Sequence, residues 1–158
     1  MKALHKWRHL PNDRFGSSAG CKATGAKGRG LEYHRRVYRE LRKLYAFGGP
    51  EKLIVEPWYR EESKAGTLRS PDSVIIDEEL RVGLVVEVKL NWKDGRDVKL
   101  VDEYLPIVRS AHELELVWPV LITKCLRGYE HPPLLGLGQL DLARSWRVGE
   151  PTPVLLYV

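Results

Sequence analysis

The sequence has few cysteines and no long apolar run, and both absences narrow the kinds of protein it can be. Its 158 residues include only two cysteines, Cys21 and Cys125, which are far apart. A disulfide framework, a zinc site and an iron–sulfur cluster all need more cysteines or closer ones, so none is expected. No apolar stretch approaches the roughly 18 residues of a transmembrane helix, and no secretory segment is recognisable. We therefore expect an intracellular, cytoplasmic protein with no membrane partner.

Positive charge is concentrated towards the amino terminus. Residues 1–43 contain 12 Lys or Arg and 3 acidic residues, whereas residues 44–158 contain 14 and 18. Gly and Ser are frequent from residue 16 onward, and no regular element is evident before Arg29. We predict a basic, flexible arm over residues 1–29 and a single folded domain over residues 30–158. Such an arm favours a polyanionic partner, although a disordered, solubilising tail has the same composition. The other alternative is a transit peptide, which the glycines and the mixed pattern do not favour.

Apolar periodicity predicts a domain of the mixed α/β (α+β) class. A helical period runs through residues 30–47 and is followed by Gly48, Gly49 and Pro50, which end helices. Apolar or β-branched runs predict strands at residues 53–60, 73–76, 82–90, 114–123 and 154–158, the last at a sheet edge. Further helices are predicted at residues 98–113 and 139–146. This order favours one mixed sheet with helices on its faces.

Two charged side chains interrupt the most apolar of these strands. Alternation within residues 82–90 places Glu87 and Lys89 on one face and Val86 and Val88 on the other. Burying charge is costly unless the charge is paired or bound to a metal ion. The alternative is a salt-bridged face on an edge strand, but the surrounding valines argue against it.

Asp72 supplies a second carboxylate to the same region. The strand at residues 73–76 returns through a polar turn at residues 77–79, so the hairpin brings Asp72 beside Glu87. Two carboxylates from adjacent strands form a hard-oxygen site, for which Mg²⁺ is the natural ion, and Mn²⁺ is expected to substitute. The alternative for Asp72, which follows Pro71, is to cap a turn.

Pro71-Asp72, the step of 15 residues to Glu87, and the triplet Glu87-Val88-Lys89 resemble the signature of the PD-(D/E)XK nuclease superfamily. The resemblance implies a restriction-endonuclease-like central mixed β-sheet flanked by helices. It also implies Mg²⁺-dependent hydrolysis of phosphodiester bonds in DNA. Asp72, Glu87 and the backbone carbonyl of Val88 would hold the metal ion, and Lys89 would orient or deprotonate the attacking water.

An upstream segment is similar to the opening motif of the archaeal-type Holliday-junction resolvases within that superfamily. Lys27, Gly28 and Glu32 match its K-G-x-x-x-E order, so the resemblance makes Glu32, in the first turn of the helix, an assisting catalytic residue. The alternative for Glu32 is stabilisation of the helix dipole. A resolvase would be a homodimer because two symmetric strands are cut together. Restriction-like and repair endonucleases, and enzymes of phage or mobile-element DNA processing, stay open.

Basic residues near the amino terminus are candidates for binding the nucleic-acid backbone. They are Lys6, Arg8, Lys27, Arg29, Arg35 and Arg36. Trp7 can stack on a base or pack against the domain. We interpret His34 as a residue at the edge of the core rather than as a ligand.

Two functions of other classes also fit the sequence. A non-catalytic nucleic-acid-binding module with a degenerate nuclease core would have the same composition, and dependence on a divalent metal separates it from a nuclease. An enzyme that acts on acidic ligands, or a metal protein, in either case unrelated to nucleic acid, is less compatible with the strongly basic amino-terminal segment. The sequence contains no recognisable base-reading element, so the choice between DNA and RNA, and between duplex, branched and single strands, stays open.

Overall fold

A six-stranded and a three-stranded β-sheet, flanked by helices, make up the computed structural model. The structure describes residues 6–11, 25–46, 48–63, 67–92, 99–128 and 133–158, without the side chains of residues 25–27. The strands are β1 (Trp7–Leu10), β2 (Glu51–Val55), β3 (Trp58–Glu61), β4 (Leu68–Arg69), β5 (Ser73–Asp77), β6 (Val82–Trp92), β7 (Leu116–Leu126), β8 (Leu134–Leu135) and β9 (Val154–Leu156). The helical segments are α1 (Gly25–Leu44), a π-helical turn (Leu100–Tyr104), α2 (Leu105–Ala111) and a 3-10 helix (Leu137–Ser145). The predicted mixed α/β class is confirmed.

The large sheet is mixed, with the strand order β2-β5-β6-β7-β9-β8. Strand β5 pairs antiparallel with β2 and with β6. The pairs β6–β7, β7–β9 and β9–β8 are parallel. The β5–β6 hairpin pairs Ser73 with Val86, and the Asp77 carboxylate accepts a hydrogen bond from the Leu80 N–H at 3.0 Å in its turn. The predicted hairpin, on which the position of Asp72 depends, is therefore confirmed.

Alternation along β6 separates two apolar clusters, one on each face of the large sheet. Leu84, Val86 and Val88 pack with buried residues of α1 and of the 3-10 helix. Val85 packs on the opposite face with buried residues of the π-helical turn and α2. Glu87 shares the side of Val85, so its carboxylate emerges on the face that the π-helical turn covers.

The structure corrects the predicted bounds of the first helix. Helix α1 begins at Gly25 and ends at Leu44, whereas residues 30–47 were predicted. Three glycines in its first turns lower the intrinsic helix propensity, which is why the sequence suggests a later start. Tertiary packing of a buried face, including Val37 and Leu41, stabilises the longer helix. Phe47, the predicted last residue, lies outside the described residues.

The expectation that no regular element precedes Arg29 is wrong for the described residues. Strand β1 pairs antiparallel with β3, and the Trp7 N–H donates to the Ser110 hydroxyl at 3.1 Å. The side chain of Trp7 packs against the second apolar cluster. A strand of four residues has little signal of its own, because its pairing partners lie some fifty residues further along the chain.

Two predicted strands differ in extent or position because of backbone constraints. The run predicted at residues 53–60 is divided into β2 and β3, since Glu56 has a φ of 50° and Pro57 lacks an N–H. Strand β9 lies between β7 and β8, so the prediction of an edge strand there is wrong. Pro119 is tolerated in β7 because its nitrogen faces the side of β9, and pairing with β9 begins only at Leu121.

The helix predicted at residues 98–113 is irregular. A π-helical turn precedes α2, and Pro106 occupies the first turn of α2. A proline cannot donate to the carbonyl four residues earlier, so it restricts where a regular α-helix starts. The helix predicted at residues 139–146 forms a 3-10 helix at Leu137–Ser145. Within the described ranges, no helix is long and apolar enough to cross a membrane.

A cluster of imidazole and phenol rings joins the small sheet to α2. The buried Tyr59 hydroxyl and the His112 Nε2 are 2.9 Å apart. The His9 ring centroid lies 5.1 Å from that of His112 and 5.4 Å from that of Tyr59. Burial lowers the pKa of His9, and burial followed by the neighbouring His9 lowers the pKa of His112 to about 4. Both imidazoles are therefore neutral where they hold the two elements together.

Stability is expected to fall as the pH drops from about 6.5 to about 4. In this window the unfolded His112 binds a proton that the folded residue does not, so protons favour the unfolded chain. Urea unfolding of the wild type and of His112→Gln, at a series of pH values across the window, measures the effect. Glutamine retains a hydrogen-bonding amide and does not titrate, so the variant is expected to lose less stability on acidification. An equal loss in both proteins would contradict the assignment.

The packing of α1 on the large sheet can be tested with two leucines on the same helix. Leu41 is fully buried, whereas Leu44 is 48% exposed. We expect Leu41→Ala to lower the free energy of unfolding by about 2–5 kcal/mol, because it leaves a cavity against the sheet. Leu44→Ala is expected to lower it by less than about 1 kcal/mol. Similar losses for both, measured by urea denaturation, would contradict the described packing.

Candidate functional site

Asp72 and Glu87 are joined by reciprocal hydrogen bonds at the start of β5. The Asp72 N–H donates to Glu87 Oε1 at 3.1 Å, and the Val88 N–H donates to Asp72 Oδ2 at 2.6 Å. Each carboxylate therefore uses one oxygen to hold the backbone of the other strand. The hairpin brings the two side chains together as the sequence predicts.

A polar cleft of about 400 Å³ opens above these carboxylates. It is lined by Arg29, Gly30, His34, Asp72, Glu87, Val88, Lys89, Leu90 and Asn91. Three elements contribute to it: the amino-terminal part of α1, the residue before β5, and the carboxyl-terminal half of β6. Lys89 is exposed and Glu87 is buried, so a cation stands at the rim and a carboxylate at the floor.

The charge of Asp72 is only partly compensated by its surroundings. The side chain is 21% exposed, and burial raises the pKa of its carboxyl. His34, the Val88 N–H and the Lys89 ammonium oppose this rise, in that order. Because the pKa nevertheless stays raised, a cation bound in the cleft would stabilise the ionised form of Asp72.

His34 and Tyr38 are members of the site that the sequence analysis did not identify. His34 Nδ1 lies 3.6 Å from Asp72 Oδ1 and 3.3 Å from the Tyr38 hydroxyl, and Tyr38 also donates a hydrogen bond to Asp72. Burial, followed by the negative charges of Asp72, Glu56 and Glu87, raises the pKa of the Tyr38 hydroxyl and keeps it protonated. The available signal was the spacing of four residues between Gly30, His34 and Tyr38, which places them on one face of α1.

Glu32 does not join the site. It is exposed, does not line the cleft, and lies beyond the first turn of α1, because the helix begins at Gly25. Two residues along a helix correspond to a rotation of roughly 200°. Glu32 and His34 therefore lie on nearly opposite sides of α1, and His34 is the side chain that α1 presents to Asp72.

The π-helical turn closes the other side of Glu87. The Lys99 ammonium lies 5.2 Å from the Tyr104 ring centroid and is hydrogen-bonded to the Tyr104 hydroxyl, which raises the pKa of Lys99. Burial raises the pKa of Tyr104. Both residues interact with the charge of Glu87, but neither of them lines the cleft.

The predicted phosphate-binding residues of α1 occupy different environments. Arg29 lines the cleft. The Arg36 guanidinium lies 5.9 Å from the ring centroid of Tyr33 and 5.1 Å from that of Tyr157, so it packs on aromatic rings away from the cleft. Arg35 is half-buried and does not line the cleft. Only Arg29 among these three is placed to meet a ligand of the carboxylates.

The remaining predicted basic residues lie on or before β1, or outside the described side chains. Lys6 and Arg8 are exposed at the small sheet. Lys27 belongs to α1, but its side chain is not among the described ones. The small sheet therefore carries positive charge that is separate from the cleft.

The donor set suits a hard divalent cation. Among the described residues, no three His, Cys, Asp or Glu side chains are arranged to hold a metal ion. The carboxylates that line the cleft are those of Asp72 and Glu87. Two carboxylates with a backbone carbonyl and several waters are a common arrangement for Mg²⁺.

Comparison with protein-family models, curated proteins and solved structures finds no match to this chain. The functional interpretation therefore depends on the residues of the cleft.

Asp72→Asn is expected to leave the melting temperature unchanged or to raise it. The amide oxygen can still accept the Val88 N–H, while the substitution removes a buried charge beside Glu87. Thermal unfolding in a metal-free buffer measures the effect. A drop of several degrees would show that the Asp72 carboxylate is required for folding rather than for binding a ligand.

Proposed function

We propose that this protein is a metal-dependent endonuclease that hydrolyses phosphodiester bonds in DNA, with a site of the PD-(D/E)XK type. The observation that supports this proposal most strongly is the pair of reciprocal hydrogen bonds between Asp72 and the Glu87–Val88 segment, with the Lys89 ammonium in the same cleft. The order of Asp72, Glu87 and Lys89 along the chain is that of the superfamily signature.

Asp72, Glu87 and the Val88 carbonyl are the groups that would hold Mg²⁺ or Mn²⁺. A bound ion would act as a Lewis acid and neutralise charge on the scissile phosphate. This role fits the two oriented carboxylates and the raised pKa of Asp72. Tyr38 and His34 hold the Asp72 carboxylate from the side of α1 and keep its orientation constant.

Lys89 and Arg29 supply the positive charge that the chain itself brings to a phosphate. The Lys89 side chain is exposed and lines the cleft, so its ammonium can orient an attacking water and offset the charge that develops on the phosphate. Arg29 lies on the opposite wall and can bind a neighbouring phosphate through its planar guanidinium. Glu32 has no role in this proposal, which departs from the resolvase motif.

The proposed activity takes place in the cytoplasm, on duplex or branched DNA, in recombination, repair or the processing of phage or mobile-element DNA. A structure-selective activity on four-way junctions would require a homodimer, because symmetric strands are cut together. The exposed position of Glu32 removes one of the residues on which the similarity to junction resolvases depended. A general DNA endonuclease is therefore the form of the proposal that the site supports best.

Cleavage of three labelled DNAs tests the proposal: a four-way junction, a plain duplex and a single strand, each with Mg²⁺, Mn²⁺ or EDTA. We expect metal-dependent cutting that falls at least about a hundredfold in Glu87→Gln and in Lys89→Ala. Lys89→Ala is expected to retain DNA binding. Glu78→Gln and Lys52→Ala remove the partners of an exposed ion pair outside the cleft and are expected to cut like the wild type.

Two outcomes would contradict the proposal. Cutting that survives in Glu87→Gln or in EDTA would show that the activity does not come from this cleft. DNA binding without cutting under any metal would instead support a non-catalytic nucleic-acid-binding module.

A further inference from the structure

The outer face of the small sheet brings two arginines directly opposite each other. Strands β1 and β3 are antiparallel, and Arg8 pairs in register with Arg60. Their neighbours His9 and Tyr59 point inward to the ring cluster on α2. Because side chains alternate along a strand, Arg8 and Arg60 both point away from that cluster. Their β-carbons are expected to be about 5 Å apart.

This pair lacks compensation within the part of the chain that the structure describes. No carboxylate there lies within ion-pair distance of Arg8 or Arg60. The Nε atom of Arg60 is buried and has no hydrogen-bond partner there. Like charges that face each other across two strands destabilise a sheet unless an anion lies between or above them. The arrangement therefore calls for an anionic ligand.

The rest of this face keeps its charge positive. Lys6 and Glu62 meet at its end, where the Glu62 N–H donates to the Lys6 carbonyl at 2.9 Å. Trp58 pairs in register with Leu10 at the other end of the same two strands. This face therefore carries three cations, one carboxylate and one aromatic side chain: Lys6, Arg8, Arg60, Glu62 and Trp58. Such a composition is typical of a surface that binds a phosphate backbone.

The backbone connects this face to the cleft. The Glu56 N–H donates to the Asp72 carbonyl at 2.8 Å, and β3 begins two residues later. Arg60 is four residues from Glu56, so the two residues are at most roughly 14 Å apart. A nucleic-acid strand advances about 3.4 Å per nucleotide, so at most about four nucleotides span this distance.

We propose that the outer face of the small sheet, centred on Arg8 and Arg60, is a second phosphate-binding surface that holds the DNA backbone within about four nucleotides of the cleft. The inference depends on the proposed function for its substrate. This surface would contact the part of the DNA that extends beyond the carboxylates. Arg8 and Arg60, rather than Arg35 and Arg36 of α1, would contact the DNA backbone there.

The test compares DNA binding by the wild type, by Arg8→Gln/Arg60→Gln and by the control Arg42→Gln/Arg147→Gln, which removes the same charge from exposed positions elsewhere. Fluorescence anisotropy with a labelled duplex is measured in EDTA over a salt series. We expect the test variant to bind at least about tenfold more weakly. The slope of its binding constant against salt concentration, both on logarithmic scales, is expected to correspond to about two fewer phosphate contacts. Hydrolysis of a small aryl phosphodiester, which cannot reach the small sheet, is expected to be unchanged.

Stability separates a binding role from a structural role. Because the substitution removes a repulsive pair, the melting temperature is expected to stay the same or to rise. Where the double variant fails to fold, Arg8→Gln alone, at an exposed position, is expected to decrease the salt dependence by about one contact.

Wild-type binding by the test variant, or equal weakening in the control, would overturn the inference and leave the proposed nuclease function intact. Failure of the wild type to bind DNA would overturn it as well. If only the test variant binds DNA more weakly, and the wild type cuts no DNA with any metal, the result would support the phosphate-binding surface and refute the nuclease function.

Discussion

The reciprocal hydrogen bonds between Asp72 and the segment Glu87–Val88 are the interaction on which the rest of the site depends. They hold two carboxylates side by side by means of backbone N–H groups, which cannot move without disrupting the β5–β6 hairpin. The sheet therefore fixes the orientation of groups that would otherwise repel each other. Burial raises the pKa of the Asp72 carboxyl, although His34, the Val88 N–H, Lys89 and Tyr38 oppose the rise.

The other elements converge on the same residue from three sides. Helix α1 contributes Tyr38 and His34, and β6 contributes Lys89. The junction between β2 and β3 binds the Asp72 carbonyl through Glu56, whose positive φ is the backbone distortion that turns the chain from the large sheet into the small one. The same contact that holds the Asp72 carbonyl therefore also holds the segment that leads into the small sheet.

The sequence allowed the centre of the site to be predicted, whereas its periphery depended on tertiary structure. Asp72, Glu87 and Lys89 could be predicted because period-two alternation and a short polar turn are local signals in the sequence. The structure places all three residues in one cleft. Glu32 was misplaced because the start of α1 is set by packing rather than by its glycines, and an error of a few residues changes the turn on which a side chain lies. Strand β1 was missed because it is stabilised by β3, which is far away in sequence. Both errors have the same cause. The start of α1 and the position of β1 depend on contacts between segments that are far apart in the sequence.

The most direct test of the central claim is a titration of the purified protein with Mn²⁺, followed by electron paramagnetic resonance, in the wild type and in Asp72→Asn. We expect saturable binding of Mn²⁺ by the wild type, competition by Mg²⁺, and at least a tenfold weaker affinity in the variant, because one of two carboxylates is lost. Equal affinity in the two proteins, or no binding by the wild type, would contradict the claim that Asp72 and Glu87 form a metal centre.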